Sequence, residues 1–256
     1  MPVITLTTDW NNEDFYLGAV KGAIYSNCID ATVVDITHQI KPFNIYQAAF
    51  ILKNSYNFYP KGSVHIIGVK TEAYANQQFL AAEFEGRYFL GTDNGIFSLL
   101  FKDEDAVKFV LLNYEKSSFP VLDVFSKVAC KLIEGEEFDS LGNKVEEIER
   151  RIPLRATIDE SSISGSIVYI DSFQNAITNV SNDLFKRIGK ERPFKIYVQS
   201  NHYVISKINK TYQETSIGEL LAIFNSLNLL EIAINGGNAA ELLNLDTNST
   251  IRIKFQ

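Results

Sequence analysis

Four short polar stretches of the sequence carry side chains that could bind a ligand. The first is Thr7-Thr8-Asp9-Trp10, followed closely by Asp14. An Asp at the carboxyl end of a first parallel strand lies at the sheet edge where open α/β proteins bind ligands. Its carboxylate can accept two hydrogen bonds from a ribose diol. The alternative is a helix cap or a structural hydrogen bond, and the spacing alone favours that alternative.

Two further stretches combine turn residues with polar side chains. Gly91-Thr92-Asp93-Asn94-Gly95 could direct backbone N–H groups at a ligand, although Asp-Asn-Gly is equally typical of an ordinary turn. In residues 169–179, Phe173 could stack on a flat ligand while Asp171 and Asn175 form hydrogen bonds to it. The alternative for that stretch is a bulged strand in which Asn175 caps a turn.

The fourth stretch joins Phe224-Asn225-Ser226 to a strand, then to Asn235-Gly236-Gly237 and a predicted helix. A Gly-Gly turn lets backbone atoms approach a ligand closely, or it merely connects a strand to a helix. The three histidines lie in unrelated segments without a Cys, His or carboxylate at metal-ligand spacing, so we expect no metal site. They are His38, His65 and His202.

The elements that position these stretches are predicted to form two regions. Strands and helices alternate over the first 135 residues, which predicts an α/β domain with a largely parallel sheet. The charged run from Glu136 to Arg155 is typical of a linker or surface segment. Short strand-like runs separated by turn residues follow it and predict a small β-rich domain. We place the boundary between residues 157 and 158, which gives domains 1–157 and 158–256.

Composition narrows the possible functions. The formal net charge is -7 and no long basic run is present, so nucleic acid is not the expected partner. The sequence lacks an apolar stretch long enough to span a membrane, and its beginning lacks the pattern of a signal peptide. Cys28 and Cys130 are isolated, which favours two small buried thiols in a reducing cytoplasm over a disulfide.

Several motifs occur in the order that is typical of one enzyme family. They are Thr8-Asp9-Trp10-Asn11, Tyr16-Leu17-Gly18-Ala19-Val20-Lys21-Gly22, Asp35-Ile36-Thr37-His38, Thr92-Asp93-Asn94-Gly95, Ile170-Asp171-Ser172-Phe173-Gln174-Asn175 and Leu230-Glu231-Ile232-Ala233-Ile234-Asn235 with Gly236-Gly237-Asn238-Ala239-Ala240. Together, over roughly residues 3–255, they resemble the S-adenosylmethionine hydroxide adenosyltransferases and the related fluorinases and chlorinases.

The resemblance implies a Rossmann-like N-terminal domain, a C-terminal β-barrel and a homotrimer. The nucleoside would bind at the subunit interface, between the N-terminal domain of one subunit and the C-terminal domain of its neighbour. By the same resemblance Asp9 would hold the ribose hydroxyls and Phe43 would pack near the sugar or adenine. Asp171 and Ser226 would face the amino-acid end of the ligand. The residues implied around the adenine are Phe173, Asn175, Asn235 and Gly236. The ligand would be S-adenosylmethionine or adenosine, with no separate cofactor.

The chain departs from the family at the residues that position the attacking water or hydroxide. An ungapped register puts Lys70 at the family's Asp, Gln77 at its Arg and Pro120 at its His. The halogenating members' residues are absent too, because Lys70 replaces their Tyr and Ala73 their Thr. The sequence therefore leaves two functions open. One is a divergent enzyme that cleaves S-adenosylmethionine to adenosine and methionine, and the other is a silent protein that binds adenosine or an adenine nucleotide.

The position of Lys70 is also open at this stage. If its side chain enters the pocket, it would repel the sulfonium of S-adenosylmethionine. Glu72 could neutralise that charge if both side chains face the same way. Alternatively, the loop carries Lys70 outward into solvent.

Overall fold

In the computed structural model, which describes residues 3–72, 78–102, 106–115 and 117–256, the chain divides into two units. Unit 1 is Met1–Pro153 and unit 2 is Leu154–Gln256. The break therefore comes slightly before the boundary that the sequence predicts between residues 157 and 158.

Unit 1 is a seven-stranded sheet with helices on both faces. Its strands are β1 (Val3–Thr8), β2 (Thr32–Thr37), β3 (Val64–Gly68), β4 (Phe79–Phe84), β5 (Arg87–Thr92), β6 (Lys108–Leu112) and β7 (Gly142–Val145). Its helices are α1 (Tyr16–Asn27), α2 (Ile45–Lys53), α3 (Ile96–Leu100) and α4 (Ser126–Ile133), with a π-helical turn at Val121–Phe125 and 3₁₀ turns at Tyr56–Phe58 and Phe138–Leu141. The strand order is β2-β1-β3-β5-β4-β6-β7.

The α/β class is confirmed, but only half of the strand pairs in unit 1 are parallel. β1 pairs in parallel with β2 and β3, and β3 with β5. The pairs β4–β5, β4–β6 and β6–β7 are antiparallel. The change begins at the tight turn Glu85-Gly86, where both residues have positive φ. A turn of two residues joins antiparallel strands, whereas a parallel pair needs a longer crossover.

The charged segment 136–155 is more than the linker or surface segment that its composition predicts. Phe138 and Leu141 are buried in the core of unit 1, and β7 pairs with β6 at the sheet edge. The two apolar side chains were hidden among many charged neighbours, so the average charge of the segment was misleading.

Strand β1 shows how the core forms on both faces of the sheet. Ile4 and Leu6 are fully buried on the side of α1 and α4. Thr5 lies on the opposite face, where its Oγ1 is 2.7 Å from Nδ1 of His65 in β3. The His65 ring stacks on Phe89, and burial lowers the pKa of His65 to about 3. His65 is therefore a neutral core side chain, although its Nε2 has no hydrogen-bond partner among the described residues.

Unit 2 is a nine-stranded sheet that nearly closes into a barrel. Its strands are β8 (Thr157–Ile158), β9 (Ser162–Ile170), β10 (Ala176–Ser181), β11 (Phe194–Val198), β12 (Val204–Ile205), β13 (Ile208–Asn209), β14 (Leu220–Phe224), β15 (Leu229–Ile234) and β16 (Thr250–Phe255), and its helices are α5 (Asn182–Gly189) and α6 (Ala239–Leu242). The order is β12-β11-β16-β9-β10-β15-β14-β13, with β8 on β9. Near the two ends of this path β12 contacts β14.

Within the described ranges, none of the helices has both the length and the apolar composition required to cross a bilayer.

The prediction of two isolated thiols is wrong. Cys28, just after α1, and Cys130, in α4, form a disulfide with a Cα–Cα distance of 5.6 Å. The two residues are 102 positions apart in sequence, and they meet because α1 packs on α4. Spacing along the chain gives no indication of such a contact.

We expect the disulfide to stabilise unit 1 measurably. Closing a loop of this length restricts the unfolded chain, and native disulfides typically contribute about 2–4 kcal/mol. Denaturant unfolding of the oxidised protein and of protein reduced under denaturing conditions should differ by that amount. The double variant Cys28→Ala/Cys130→Ala is the control and should not respond to reductant. Peptide mapping that recovers both cysteines as free thiols from the purified folded protein would contradict the disulfide.

Candidate functional site

Asp9 lies at the edge of unit 1 where the parallel strands end. It directly follows β1, which is flanked by the parallel strands β2 and β3. The loops that follow these two strands therefore start on either side of Asp9. This is the edge at which open α/β sheets bind ligands.

The Asp9 carboxylate joins these two loops. Its Oδ2 accepts the backbone N–H of Phe43 at 2.8 Å, and the carboxylate also accepts the backbone N–H of Lys70. Phe43 and Lys70 both have left-handed backbones, with φ of 66° and 50°. A left-handed conformation costs a residue other than glycine about 1–2 kcal/mol. Two strained residues thus direct their N–H groups at one carboxylate, which is the kind of strain found at functional sites.

The environment of Asp9 changes its acidity. Burial raises the pKa of Asp9, the backbone N–H groups of Phe43 and Lys70 partly offset that effect, and the negative charge of Glu72 raises the pKa further. Glu72, at the end of the described part of this loop, is thus close enough to influence Asp9. A half-buried carboxylate with free acceptor capacity suits a diol, which brings hydroxyl donors to it.

Asn94 holds the loop after β3 in place. Its side-chain amide donates to the carbonyl oxygens of Val69 and Lys70 at 3.1 and 2.9 Å. Its Oδ1 accepts the backbone N–H of Ile96 at 3.1 Å, and only 2% of the residue is exposed. The Asp-Asn-Gly turn therefore acts here as a structural clamp. With Asp9 on its N–H and Asn94 on its carbonyl, the Lys70 backbone is fixed beside Asp9 instead of carried outward.

The resemblance aligns three positions of this chain with the family's catalytic residues, namely Lys70, Gln77 and Pro120. Lys70 is next to Asp9. Pro120 is buried at the start of the π-helical turn, and the ring of its neighbour Phe119 lies 5.2 Å from that of Trp10. Gln77, like Ala73, lies outside the described residues. Lys70 therefore lies beside Asp9, and Pro120 directly follows a residue whose ring contacts Trp10.

A row of polar side chains that the sequence did not indicate begins at Thr8, the residue before Asp9. Thr8 Oγ1 is 2.8 Å from Nδ1 of the buried His38. His38 Nε2 lies 3.1 Å from an Asp35 oxygen in a poorly aligned contact, and Asp35 accepts from Lys21 at 2.6 Å. Burial opposes ionisation of Asp35, but Lys21 and His38 outweigh it and hold its pKa below the ordinary value. The Asp35–His38 motif is thus structural in unit 1.

In unit 2 the Asp171 side chain organises its own turn. Its Oδ1 accepts the backbone N–H groups of Phe173 and Asn175 at 2.9 and 2.8 Å, and its Oδ2 accepts the side-chain amide of Asn175 at 3.1 Å. The capping side chain of this turn is therefore Asp171, and Asn175 is one of its hydrogen-bond donors. The Phe173 ring is 75% exposed, so it remains available to a flat ligand.

The Gly236 turn lies near the Asp171 turn, because the N–H of Ala240 in α6 donates to the carbonyl of Gln174 at 2.8 Å. Asn235 is fixed by its side-chain amide, which donates to the Thr215 carbonyl at 2.7 Å. Gly236 has a φ of 67°, in the left-handed region that favours glycine. Phe173, Asn175, Asn235 and Gly236 therefore belong to one group of neighbouring turns.

Ser226 is not part of that group. It is exposed on the turn between β14 and β15, whereas Asn235 follows the other end of β15. At about 3.3 Å per residue, the strand separates the two by roughly 20 Å. Sequence order alone did not reveal this separation, because both residues are close to the same short strand.

Comparison with known proteins gives a consistent assignment. The model of the S-adenosylmethionine hydroxide adenosyltransferase N-terminal domain matches residues 4–142, and that of the C-terminal domain matches residues 165–252. The chain is 29% identical to an "(R)-S-adenosyl-L-methionine hydrolase" of Methanocaldococcus jannaschii, over 100% of this chain and 97% of that protein. It is 22% identical to a fluorinase of Actinopolyspora mzabensis, over 98% of this chain and 97% of the fluorinase.

Solved structures show the same fold. An uncharacterised conserved protein of Thermotoga maritima aligns with a TM-score of 0.88 at 23% identity, over 99% of this chain and 100% of that one. A conserved hypothetical protein of Thermus thermophilus aligns with a TM-score of 0.78 at 27% identity, also over 99% and 100%. Because the two family models together match most of its length, the chain belongs to the S-adenosylmethionine hydroxide adenosyltransferase family.

Proposed function

We propose that the chain binds the adenosyl group of S-adenosylmethionine and cleaves it to adenosine and methionine. The observation that carries this proposal is the Asp9 carboxylate, which two strained loops hold at the ligand-binding edge of unit 1. In the proposed complex Asp9 accepts the ribose hydroxyls and the exposed ring of Phe43 packs against the nucleoside. The full-length similarity to proteins named as S-adenosylmethionine hydrolases supports the reaction.

In the proposed reaction a water oxygen attacks C5′ of the ribose. The C5′–S bond breaks, methionine leaves with the bonding electrons, and the water gives up one proton to solvent. The reaction neutralises the sulfonium, so negative charge near the sulfur position would hold the substrate more tightly than the neutral thioether of the methionine product.

A second candidate function, silent binding of adenosine or an adenine nucleotide, follows from Lys70. The structure fixes its backbone beside Asp9, where the resemblance implies a catalytic Asp. An ammonium group there favours an anionic group at the 5′ end of the ligand over a sulfonium. Pro120, at the position of the family's His, has no proton to donate or accept through its side chain.

We further propose that the chain forms a homotrimer in which each site combines unit 1 of one copy with unit 2 of another. The unit 2 residues would be Phe173, Asn175, Asn235 and Gly236, with Asp171 behind them. Ser226 is left out because β15 separates it from the others. This proposal rests on the family's arrangement and concerns residues that lie on different units of the chain.

The first test is incubation of the purified protein with S-adenosylmethionine, with chromatographic detection of adenosine. We expect adenosine to accumulate above the buffer control, and Asp9→Ala to lower its formation by at least tenfold, because the ribose loses a charged acceptor. Glu13→Ala, which changes an exposed carboxylate nearby, is the matched control. If the protein binds adenosine but forms no adenosine from S-adenosylmethionine over many hours, the proposed hydrolase activity is wrong and the silent-binding function remains.

A complementation experiment tests the shared site. Asp9→Ala damages unit 1 and Asn235→Ala damages unit 2, so neither variant alone should bind adenosine well. Refolding the two together should restore part of the binding, because the intact unit 2 of the first can meet the intact unit 1 of the second. A mixture no better than its components, or a stable monomer in light scattering, would argue against the trimer.

The affinity for adenosine should depend on pH through Asp9. Ionised Asp9 accepts the ribose hydroxyls, whereas protonated Asp9 has lost part of this capacity. Because burial raises the pKa of Asp9, affinity should fall as the pH is lowered through a value above the ordinary 3.8. Calorimetry of wild-type protein and Asp9→Asn across this range isolates the effect, since titration of the ligand is common to both. A constant affinity ratio would show that Asp9 does not contact the ribose.

Lys70 decides between the two candidate functions through the charge at the 5′ end of the ligand. Two unit charges about 4 Å apart interact by roughly 1 kcal/mol in water and about 4 kcal/mol at an effective dielectric of 20. After allowance for solvent screening, Lys70→Asp should lower the affinity for AMP and raise the affinity for S-adenosylmethionine by roughly five- to tenfold each. Lys127→Asp on α4 makes the same charge change elsewhere and should alter neither affinity.

If Lys70→Asp leaves both affinities unchanged, the ammonium group lies outside the site and the silent-binding proposal loses its main support. If the wild-type protein proves to be silent, Lys70→Asp alone should not restore hydrolysis, because Gln77 and Pro120 still replace the family's Arg and His.

A further inference from the structure

Glu231 in unit 2 is a buried carboxylate on the outer face of the barrel. It lies in β15 between the buried core residues Leu230 and Ile232, which point to the opposite face. Its register partners are Ile177 in β10 and Ile223 in β14. Only 3% of Glu231 is exposed. An acidic side chain that is this buried costs free energy unless hydrogen bonds satisfy its oxygens.

Two hydrogen bonds satisfy Glu231, and each comes from a different loop. The Tyr212 hydroxyl donates to Oε1 at 2.6 Å, and the side-chain amide of Asn225 donates to Oε2 at 3.1 Å. Asn225 Oδ1 in turn accepts the backbone N–H groups of Leu227 and Leu229. Glu231 thus fixes the turn between β14 and β15 as well as the loop that contains Tyr212.

The loop held through Tyr212 reaches the candidate ligand residues. We call residues 212–219 the covering segment. The Thr215 carbonyl accepts the Asn235 side-chain amide at 2.7 Å. The N–H of Gly218 donates to the Asn235 carbonyl at 2.7 Å, and the N–H of Asn235 donates to the Glu219 carbonyl at 3.1 Å. One end of the covering segment is therefore bound to Glu231 and the other end surrounds Asn235.

Tyr212 also lies within electrostatic range of Asp171. Burial raises the pKa of the Tyr212 phenol most, followed by its hydrogen bond to Glu231 and by the negative charges of Glu231 and Asp171. The phenol therefore remains a hydrogen-bond donor, and Asp171 is close enough to act on it.

We propose that Glu231 is a positioning residue of the ligand site in unit 2, which acts through Tyr212 and the covering segment to fix Asn235. The inference rests on the proposed function for the ligand, since the resemblance implies that Asn235 lies at the adenine. Its structural part, the coupling of Glu231 to Asn235, is independent of any ligand.

Three substitutions separate positioning from bulk stability. Glu231→Ala leaves the Tyr212 hydroxyl and the Asn225 amide without their acceptor. Glu231→Gln keeps both contacts, because a carboxamide can accept from Asn225 and donate to the Tyr212 oxygen. Tyr212→Phe removes only the bond to the covering segment. Tyr203→Phe, a similarly exposed tyrosine of unit 2, is the matched control.

Hydrogen exchange tests the coupling without a ligand. In Glu231→Ala and Tyr212→Phe, the amides of Gly218 and Asn235 should exchange roughly tenfold faster, as expected for the loss of one hydrogen bond. The amide of Ile253 in β16 should keep its protection in both. Glu231→Gln and Tyr203→Phe should match the wild type. Equal acceleration at Ile253 would mean general destabilisation, and unchanged exchange at Gly218 and Asn235 would mean no coupling. Either result overturns the proposal.

Calorimetry with adenosine then links the coupling to binding. Glu231→Ala and Tyr212→Phe should lower the affinity for adenosine about tenfold. Glu231→Gln should bind adenosine with the wild-type affinity. If Glu231→Gln is as impaired as Glu231→Ala, the charge and not the hydrogen bonding matters, and the positioning role is wrong. If the wild-type protein binds no adenosine, the proposed function fails, whereas hydrogen exchange still decides whether Glu231 positions Asn235.

Discussion

The candidate ligand edge of unit 1 depends on one carboxylate that accepts hydrogen bonds from two strained loops. Phe43 and Lys70 hold left-handed backbones that cost about 1–2 kcal/mol each, and each gains a charge-assisted hydrogen bond from its N–H to Asp9. Asn94 completes the arrangement from the other side of Lys70. These hydrogen bonds offset the conformational strain and bring the loops after β2 and β3 together at Asp9.

The same edge carries opposing charges, and their balance bears on the reaction. Asp9 and Glu72 are negative and close enough to interact, and Lys70 brings a positive charge into the same loop. The two carboxylates attenuate the field of the ammonium, so its repulsion of a sulfonium is smaller than that of an isolated charge pair. Family membership fixes the fold and the position of Asp9, but the chemistry depends on these individual side chains.

Much of this arrangement was predictable from the sequence, since local signals agree with the final structure. The strand before Asp9 and the helix after Gly237, both predicted, depend on neighbours in sequence. The disulfide, the β6–β7 pair and the buried Glu231 do not. They require contacts between segments that are far apart in the chain. The sequence around Glu231 does not indicate that the loop containing Tyr212 covers it. Likewise, the motif that contains Asn94 indicates a turn, but not that its side chain holds Lys70.

Glu231 and Asp9 solve a similar physical problem in different ways. Asp9 is only half-buried and keeps acceptor capacity for a ligand, whereas both Glu231 oxygens already have donors and the residue is hidden beneath Tyr212. A carboxylate that is this buried cannot also contact a substrate, so Glu231 can influence a ligand only through the groups that it holds. In unit 2 those groups lead to Asn235 at one end of β15 and to the Asn225 turn at the other. A single buried charge thus links the two ends of this strand, and only one end carries the neighbouring turns of Phe173, Asn175 and Gly236. The Asn235 end is therefore the part of unit 2 from which the proposed ligand contacts come, while Asn225 holds the backbone of the hairpin at the other end.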